Sequence, residues 1–297
     1  MKEFEILLYY KYIPVADPQA LLASQRKLCE DFGLKGRIIL AEEGINGTVE
    51  GTKENTQKYI DEMSKDSRFG DMHWKRSVGT GSAFPRLSIK VRTEIVSGHL
   101  EDEDVKPWET TGKRLSPDEL YAWLNKGEEF TIVDMRNDYE YRVGRFEGSI
   151  DPGMENFRDI QKILPKIEPL KEKKVLTVCT GGVRCEKASG YLVKKGFKDV
   201  YQLDGGIVSF MEKYPNTFFK GKLYVFDNRI AMDFDDPEKH VIVGSCMKCN
   251  TPNESYVNCM NLKCHKHFIC CENCREEDGE VYCSNDCKEK NKKVAHV

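Results

Sequence analysis

Residues 175–190 read V-L-T-V-C-T-G-G-V-R-C-E-K-A-S-G, and this stretch decides the fold. A β-branched run ending at Val178 predicts a buried strand, Gly181-Gly182 a tight loop, and the polar residues from Glu186 to Lys195 a helix. Strand, loop and helix in this order are half of a parallel βαβ unit, whose ligands gather at the carboxyl ends of the strands. Cys179 stands at that end. Thr180, Gly181, Gly182, Val183 and Arg184 form the predicted anion-binding loop around it. Glycines let loop N–H groups turn inward as a nest, the following helix contributes the positive end of its dipole, and Arg184 adds a fixed charge. Each favours a thiolate over a thiol, so Cys179 is the candidate catalytic nucleophile. The alternative, a small cysteine packed at a strand end, sits poorly with Gly-Gly and Arg as neighbours. Cys185 reads as a packing residue, or as a thiol that resolves an oxidised Cys179.

The flanking sequence extends the pattern. L-S-P-D-E-L-Y-A-W-L (115–124), T-I-V-D-M-R-N-D-Y-E-Y-R-V-G-R-F-E-G-S-I (131–150) and Y-Q-L-D-G-G-I (201–207), with the six-residue loop from Cys179 to Arg184, resemble the rhodanese domain. The resemblance implies a doubly wound parallel sheet and a cysteine that forms a persulfide. Asp134 and Arg136 sit where that domain carries its Asp-x-Arg pair.

Toward the N-terminus, an apolar run over residues 4–12 is followed by Asp17-Pro18, a helix start that closes at Gly33. Strands are expected at 37–41, 47–49 and 84–92 and a helix at 52–64, which is close to the βαββαβ order of a ferredoxin-like domain. Gly44, Asn46 and Gly47 in E-E-G-I-N-G read as a turn with positive φ. Acidic E-D-E-D (101–104) and Pro107 mark a linker.

The C-terminal segment holds nine of the twelve cysteines. Cys246/Cys249, Cys259/Cys264, Cys271/Cys274 and Cys283/Cys287 are four close pairs, enough thiolates for two tetrahedral zinc ions of structural type. Spacing leaves open which pairs share an ion, and a metal-free or iron–sulfur cluster is the alternative. Cys270 is the spare thiol, and His265 or His267 could replace one ligand. These divisions predict domains at 1–97, 98–222 and 223–297.

At 297 residues with 39% hydrophobic and 32% charged residues, the composition is that of a soluble protein of two or three domains. No apolar run approaches the roughly 20 residues of a membrane span, no signal-peptide layout is present, and the cysteine usage suits the cytoplasm. The formal net charge of −3 is spread nearly evenly, so a nucleic-acid partner must be held by a local patch. Lys35, Arg37, Lys75, Arg76, Arg86, Lys90 and Arg92 are the candidates.

Together with A-E-E-G-I-N-G-T (41–48), V-R-T-E-I-V (91–96), V-D-M-R-N-D-Y-E (133–140) and V-F-D-N-R (225–229), these features resemble the bacterial tRNA uridine(34) hydroxylase family over essentially the whole chain. The resemblance implies an acylphosphatase-like, that is ferredoxin-like, N-terminal domain. The turn Y-K-Y-I-P-V-A-D-P lacks an acylphosphatase phosphate cradle, so RNA binding is its expected role. It also implies hydroxylation of the wobble uridine to 5-hydroxyuridine with molecular oxygen as co-substrate, and the anticodon loop of tRNA as partner. A persulfide sulfurtransferase and a redox-sensing RNA-binding adaptor are the alternatives. Phe84, Trp108, Tyr139, Tyr141 and Phe157 are candidate stacking partners and Arg136 and Arg158 candidate phosphate partners; the sequence leaves the oligomeric state open.

Overall fold

Alternation along the first strand organises the N-terminal half. In β1 (Phe4–Tyr12), Leu7 and Tyr9 enter a core, whereas Leu8, Tyr10 and Tyr12 point to the opposite face, as the two-residue period of a strand requires. The structure, a computed structural model, describes residues 3–234, 237–261, 263–264, 266–275 and 280–294. After β1 come α1 (Pro18–Asp31), β2 (Lys35–Ala41), β3 (Gly44–Thr52), α2 (Lys53–Ser64), β4 (Lys75–Val78) and β5 (Leu87–Val91). The Asp17 carboxylate caps α1 by accepting the N–H groups of Gln19 and Ala20, both at 2.9 Å.

The sheet order is β4-β1-β3-β2-β5, antiparallel except for β2 beside β5. The expected βαββαβ order is present, but its fourth strand is β4. The K-R-S-V run is too short and too charged to read as a strand, and the strand expected at 84–92 is instead an added edge, β5. The turn also differs. Gly44 holds φ +140, and a Cβ there would lie 2.0 Å from the Lys11 carbonyl oxygen. Asn46 lies within β3, outside the positive-φ residues, and its Nδ2 donates to the Ile95 carbonyl at 3.0 Å.

A second unit follows with β6 (Lys113–Leu115), α3 (Pro117–Lys126), β7 (Thr131–Asp134), α4 (Asp138–Val143), β8 (Gly144–Phe146), α5 (Ile160–Ile167), β9 (Lys174–Val178), α6 (Val183–Lys194), β10 (Asp199–Leu203), α7 (Gly206–Lys213) and β11 (Phe219–Gly221). Strands β6-β10-β9-β7 form a parallel sheet in that order. The last part contains β12 (Leu223–Tyr224) paired with β13 (Ala231–Met232), β14 (Tyr256–Asn258) paired with β15 (His267–Ile269), and α8 (Asn285–Val294). No helix among the described residues is long and apolar enough to cross a membrane.

Helix α6 opens at Val183 rather than at Glu186, which places Arg184 and Cys185 in its first turn. Residues 184–192 are all buried, because the outer face of the N-terminal sheet lies across the helix. Every buried polar group there has a partner from a distant segment. Lys187 Nζ, with no exposed surface, meets Glu43 at 2.8 Å and Glu94 and Asp104 at 3.0 Å each. Removing the cation would leave three crowded carboxylates, and breaking a buried pair from one side costs about 3–5 kcal/mol. Lys187→Met is therefore expected to lower the unfolding free energy by about 3–5 kcal/mol, read as a lower urea midpoint at unchanged m. An unchanged midpoint would show that this cluster does not join the two units.

Candidate active site

Strand β9 delivers Cys179 to the head of a loop that two other elements press from opposite sides. From the N-terminal sheet, Leu8 and Tyr10 come so close that a Cβ on Gly181 would lie 2.9 Å from Leu8 Cδ2, and one on Gly182, at φ +100, 2.7 Å from Tyr10 Oη. From behind, the start of α7 donates the N–H of Ile207 to the Cys179 carbonyl at 2.9 Å and that of Val208 to the Thr180 carbonyl at 3.0 Å. The glycines are thus required by contact as well as by dihedral angle.

The Cys179 sulfur is fully enclosed and accepts the Gly182 N–H at 3.2 Å. Burial by itself pushes the thiol up. Hydrogen bonding from Cys185, the Arg184 charge and the N–H groups of Cys185 and Gly182 outweigh it and bring Cys179 down to about 6. Cys185 keeps its proton, since burial and the neighbouring Cys179 anion push its own thiol well up. Alkylation of Cys179 is therefore expected to titrate with a midpoint near pH 6, with a plateau above it and a loss of about tenfold per pH unit well below it. A midpoint at or above about 8.5, the ordinary thiol value, would show that the loop does not hold a thiolate. The folded value lies below the unfolded one. The ionised sulfur thus favours folding above about pH 8.5, and that contribution fades as pH falls through the folded value.

Arg184 is anchored rather than open at the rim. Its Nη1 donates to Glu140 Oε2 at 2.6 Å and its Nη2 to Glu140 Oε1 at 2.8 Å, and Thr180 Oγ1 bonds to the same carboxylate at 3.1 Å. Burial opposes ionisation of Glu140, but Arg184 and Arg136 hold its carboxyl below the usual range. Glu140 was missed as a site residue because N-x-x-E (137–140) is also a capping box: the Asn137 N–H donates to Glu140 Oε2 at 3.0 Å.

Above the loop lies a cavity of about 410 Å³. Leu8, Tyr10, Arg37, Ile39, Asn46 and Thr48 of the outer sheet face form its roof; Thr180, Gly181, Val183 and Arg184 form its floor; and Phe84, Asn137, Asn156, Phe157, Arg158 and Phe226 close its sides. Cys179 lies beneath that floor. Phe84, Phe157 and Arg158 thus fall at the site, as does Phe226, whose ring sits 5.9 Å from the Arg184 guanidinium carbon. Lys75 is only 4% exposed, close enough for the Cys179 charge to act on it, and burial lowers it to about 8. It belongs beside the loop and not to a surface patch.

Three family models match the chain: a UPF0176 acylphosphatase like domain over residues 4–95, a Rhodanese-like domain over 116–213 and a Rhodanase C-terminal segment over 220–288. A Bacillus licheniformis protein named tRNA uridine(34) hydroxylase is 45% identical over 292 residues, covering 96% of this chain and 88% of that protein. Proteins of the same name from Staphylococcus epidermidis (45% identical, 99% and 92% covered) and Cytophaga hutchinsonii (42%, 97% and 91%) also match. The chain belongs to the tRNA uridine(34) hydroxylase family. A rhodanese-like domain from Anabaena, known in solution, aligns with 37% of the chain and 80% of that domain at 21% identity and a TM-score of 0.32.

In this member of the hydroxylase family, several sequence candidates lie outside the cavity. Arg136 has no exposed surface; its Nε and Nη2 grip Asp134 at 2.9 and 2.6 Å, its Nη2 reaches the Gly144 carbonyl at 2.7 Å and its Nη1 the Glu140 carbonyl at 3.4 Å, so it is buried away from a phosphate. Tyr139 packs edge-on against Tyr224, Tyr141 bonds to the Ser149 carbonyl, and Trp108 lines a separate pocket.

The cysteine pairs interleave. Cys246 and Cys249 meet Cys271 and Cys274, while Cys259 and Cys264 meet Cys283 and Cys287, each set with its sulfurs within 4.8 Å of one another. Sulfur separations of 3.6 Å (Cys249–Cys271), 3.5 Å (Cys264–Cys283) and 3.4 Å (Cys283–Cys287) are near the roughly 3.8 Å edge of a tetrahedron with metal–sulfur bonds of about 2.3 Å. The residues fit two tetrahedral thiolate-bound ions. Cys270 lies outside both sets, and His267 is stacked on Tyr256 and bonded to Asn258. His265 lies outside the described residues.

Proposed function

We propose that this chain hydroxylates carbon 5 of uridine 34 in tRNA, giving 5-hydroxyuridine, with Cys179 as the reacting group and molecular oxygen as the source of the new atom. Near full-length similarity to proteins named for tRNA uridine(34) hydroxylation carries the reading. The wobble base of the anticodon loop is single-stranded, and unstacked bases are taken into pockets of aromatic and polar side chains. The cavity walled by Phe84, Phe157, Phe226, Asn46 and Asn137 suits such a base.

Addition of the Cys179 thiolate to carbon 6 makes carbon 5 nucleophilic. One oxygen atom of dioxygen is added there, the other leaves as water with two electrons and two protons from a reductant, and loss of the carbon-5 proton expels the thiolate. Gly182 and Cys185 hold the sulfur anion through their N–H groups, and Glu140 fixes Arg184 and Thr180 so that the loop keeps its shape. Zinc is the proposed occupant of both cysteine sets, in a structural role, since four thiolates leave no open position. We divide the chain at 97/98 and 222/223, and place it in the cytoplasm, where reduced cysteines persist.

One observation favours a second reading. The Cys179 sulfur is enclosed beneath the cavity floor. A persulfide extends the side chain by one S–S bond of about 2.05 Å, bringing a terminal sulfur toward the cavity for sulfur transfer. Nucleoside mass spectrometry of tRNA incubated under heavy-oxygen-labelled dioxygen separates the two. Gain of one labelled oxygen atom supports hydroxylation; replacement of oxygen by sulfur supports transfer and rejects it.

A further inference from the structure

The outer face of edge strand β5 carries an unneutralised row of polar and cationic groups. Inward-facing Leu87, Ile89 and Val91 pack on the N-terminal core. Arg86, Ser88, Lys90 and Arg92 therefore share the opposite face. Ladder bonds from the Gly36 N–H to the Arg86 carbonyl (3.3 Å) and from the Arg92 N–H to the Leu40 carbonyl (2.8 Å) keep both ends in register with β2. Arg37 sits opposite Ser88 and Ile39 opposite Lys90. These residues line a groove of about 480 Å³ that has no acidic side chain in its wall. Arg37, Arg86, Lys90 and Arg92 are exposed, and none forms an ion pair among the described residues. The groove runs into the active-site cavity, since Arg37, Ile39 and Phe84 line both.

Alternate residues of a strand are about 6.6 Å apart, close to the step between consecutive phosphates in an extended single strand of RNA. We infer that the outer face of β5 is a phosphate track, with Arg86, Ser88, Lys90 and Arg92 following the backbone of the RNA strand whose uridine enters the cavity and Arg37 standing at the mouth. This rests on the tRNA reading above and adds the path of the strand. A cationic row with no acid beside it holds a polyanion by charge, and phosphate contacts fix register without reading sequence. Arg76, by contrast, is turned toward Gln57 and Glu5 on another edge and lies off the track.

The test compares the parent protein with the triple variant Arg86→Gln, Lys90→Gln, Arg92→Gln, and with a control, Lys58→Gln, Lys65→Gln, on α2 and at its C-cap. Binding of an anticodon stem-loop RNA is followed by fluorescence anisotropy over a salt series. Loss of three single-strand phosphate contacts lowers the slope of log Kd against log salt by about 2 and raises Kd by about 10- to 100-fold near physiological salt. The same loss is expected for a stem-loop with cytidine at position 34, and no change for the control. A triple variant with parental Kd and slope, or a control that loses as much, overturns the track while leaving the hydroxylase reading intact. A parent protein that binds no stem-loop and modifies no tRNA overturns both.

Discussion

Cys179→Ser is expected to abolish 5-hydroxyuridine formation, a loss of at least about 10³-fold, as seen when an activated nucleophile is removed. The loop stabilises a sulfur anion through the Gly182 and Cys185 N–H groups and Arg184. The same groups cannot ionise a serine hydroxyl near neutral pH, and serine forms no persulfide. The substitution leaves the backbone nest intact and exchanges one small enclosed atom for another, so the variant should stay folded and lose only the contribution of the ionised sulfur. Binding of tRNA should persist, because the cavity wall is built from Thr180, Gly181 and Arg184 and not from the sulfur. Nucleoside mass spectrometry beside a filter-binding assay reads both quantities. Unimpaired turnover by the serine variant would reject every reading in which Cys179 is the reacting group.

Stripping metal from the cysteine sets is the second large effect. Each chain is expected to release two zinc ions to a thiol-modifying reagent. The segment beyond residue 240 should lose its fold, because its small core consists largely of the cysteines themselves with Phe268, Val281 and Tyr282. Structural zinc contributes about 10–16 kcal/mol in comparable small units, far more than so small a core supplies. The effect should reach the active site. Tyr256 of β14 donates to the Tyr139 carbonyl on α4, the helix that also carries Glu140, and β12 lies against the same helix. Activity is therefore expected to fall by at least about tenfold, the scale of lost supporting contacts around a site. Metal analysis and circular dichroism on the same sample provide the check. A single ion per chain would contradict the interleaved pairing, and a metal-free chain with full activity would show that α4 stands without this module.

Much of the site was legible in the chain. Cys179 at a strand end, the Gly-Gly loop and the four cysteine pairs are local features, set by residues within a few positions of one another, and the structure places them in a loop and in two thiolate sets. Glu140, Phe226 and Lys75 were not legible as site residues. Glu140 serves equally as a helix cap, Phe226 comes from beyond the parallel-sheet unit, and Lys75 sits in a four-residue strand whose composition reads as surface. Arg136 misled for the opposite reason, since an arginine that grips an aspartate two residues earlier has the same sequence signature as one aimed at a phosphate.

By itself, the sequence determined the strand–loop–helix frame that carries Cys179 and the spacing of the four cysteine pairs, because strand period, glycine turns and cysteine spacing are local physics. Only the tertiary structure decided where helix α6 lies. Its run V-R-C-E-K-A-S is mostly polar, yet Glu186 is buried against Tyr10 and Arg114, Lys187 against three carboxylates and Ser189 against the Gly112 N–H. Burial of such groups is tolerated only where partners replace water. Those partners come from segments about 70 to 180 residues away in the chain, which no local pattern can bring together.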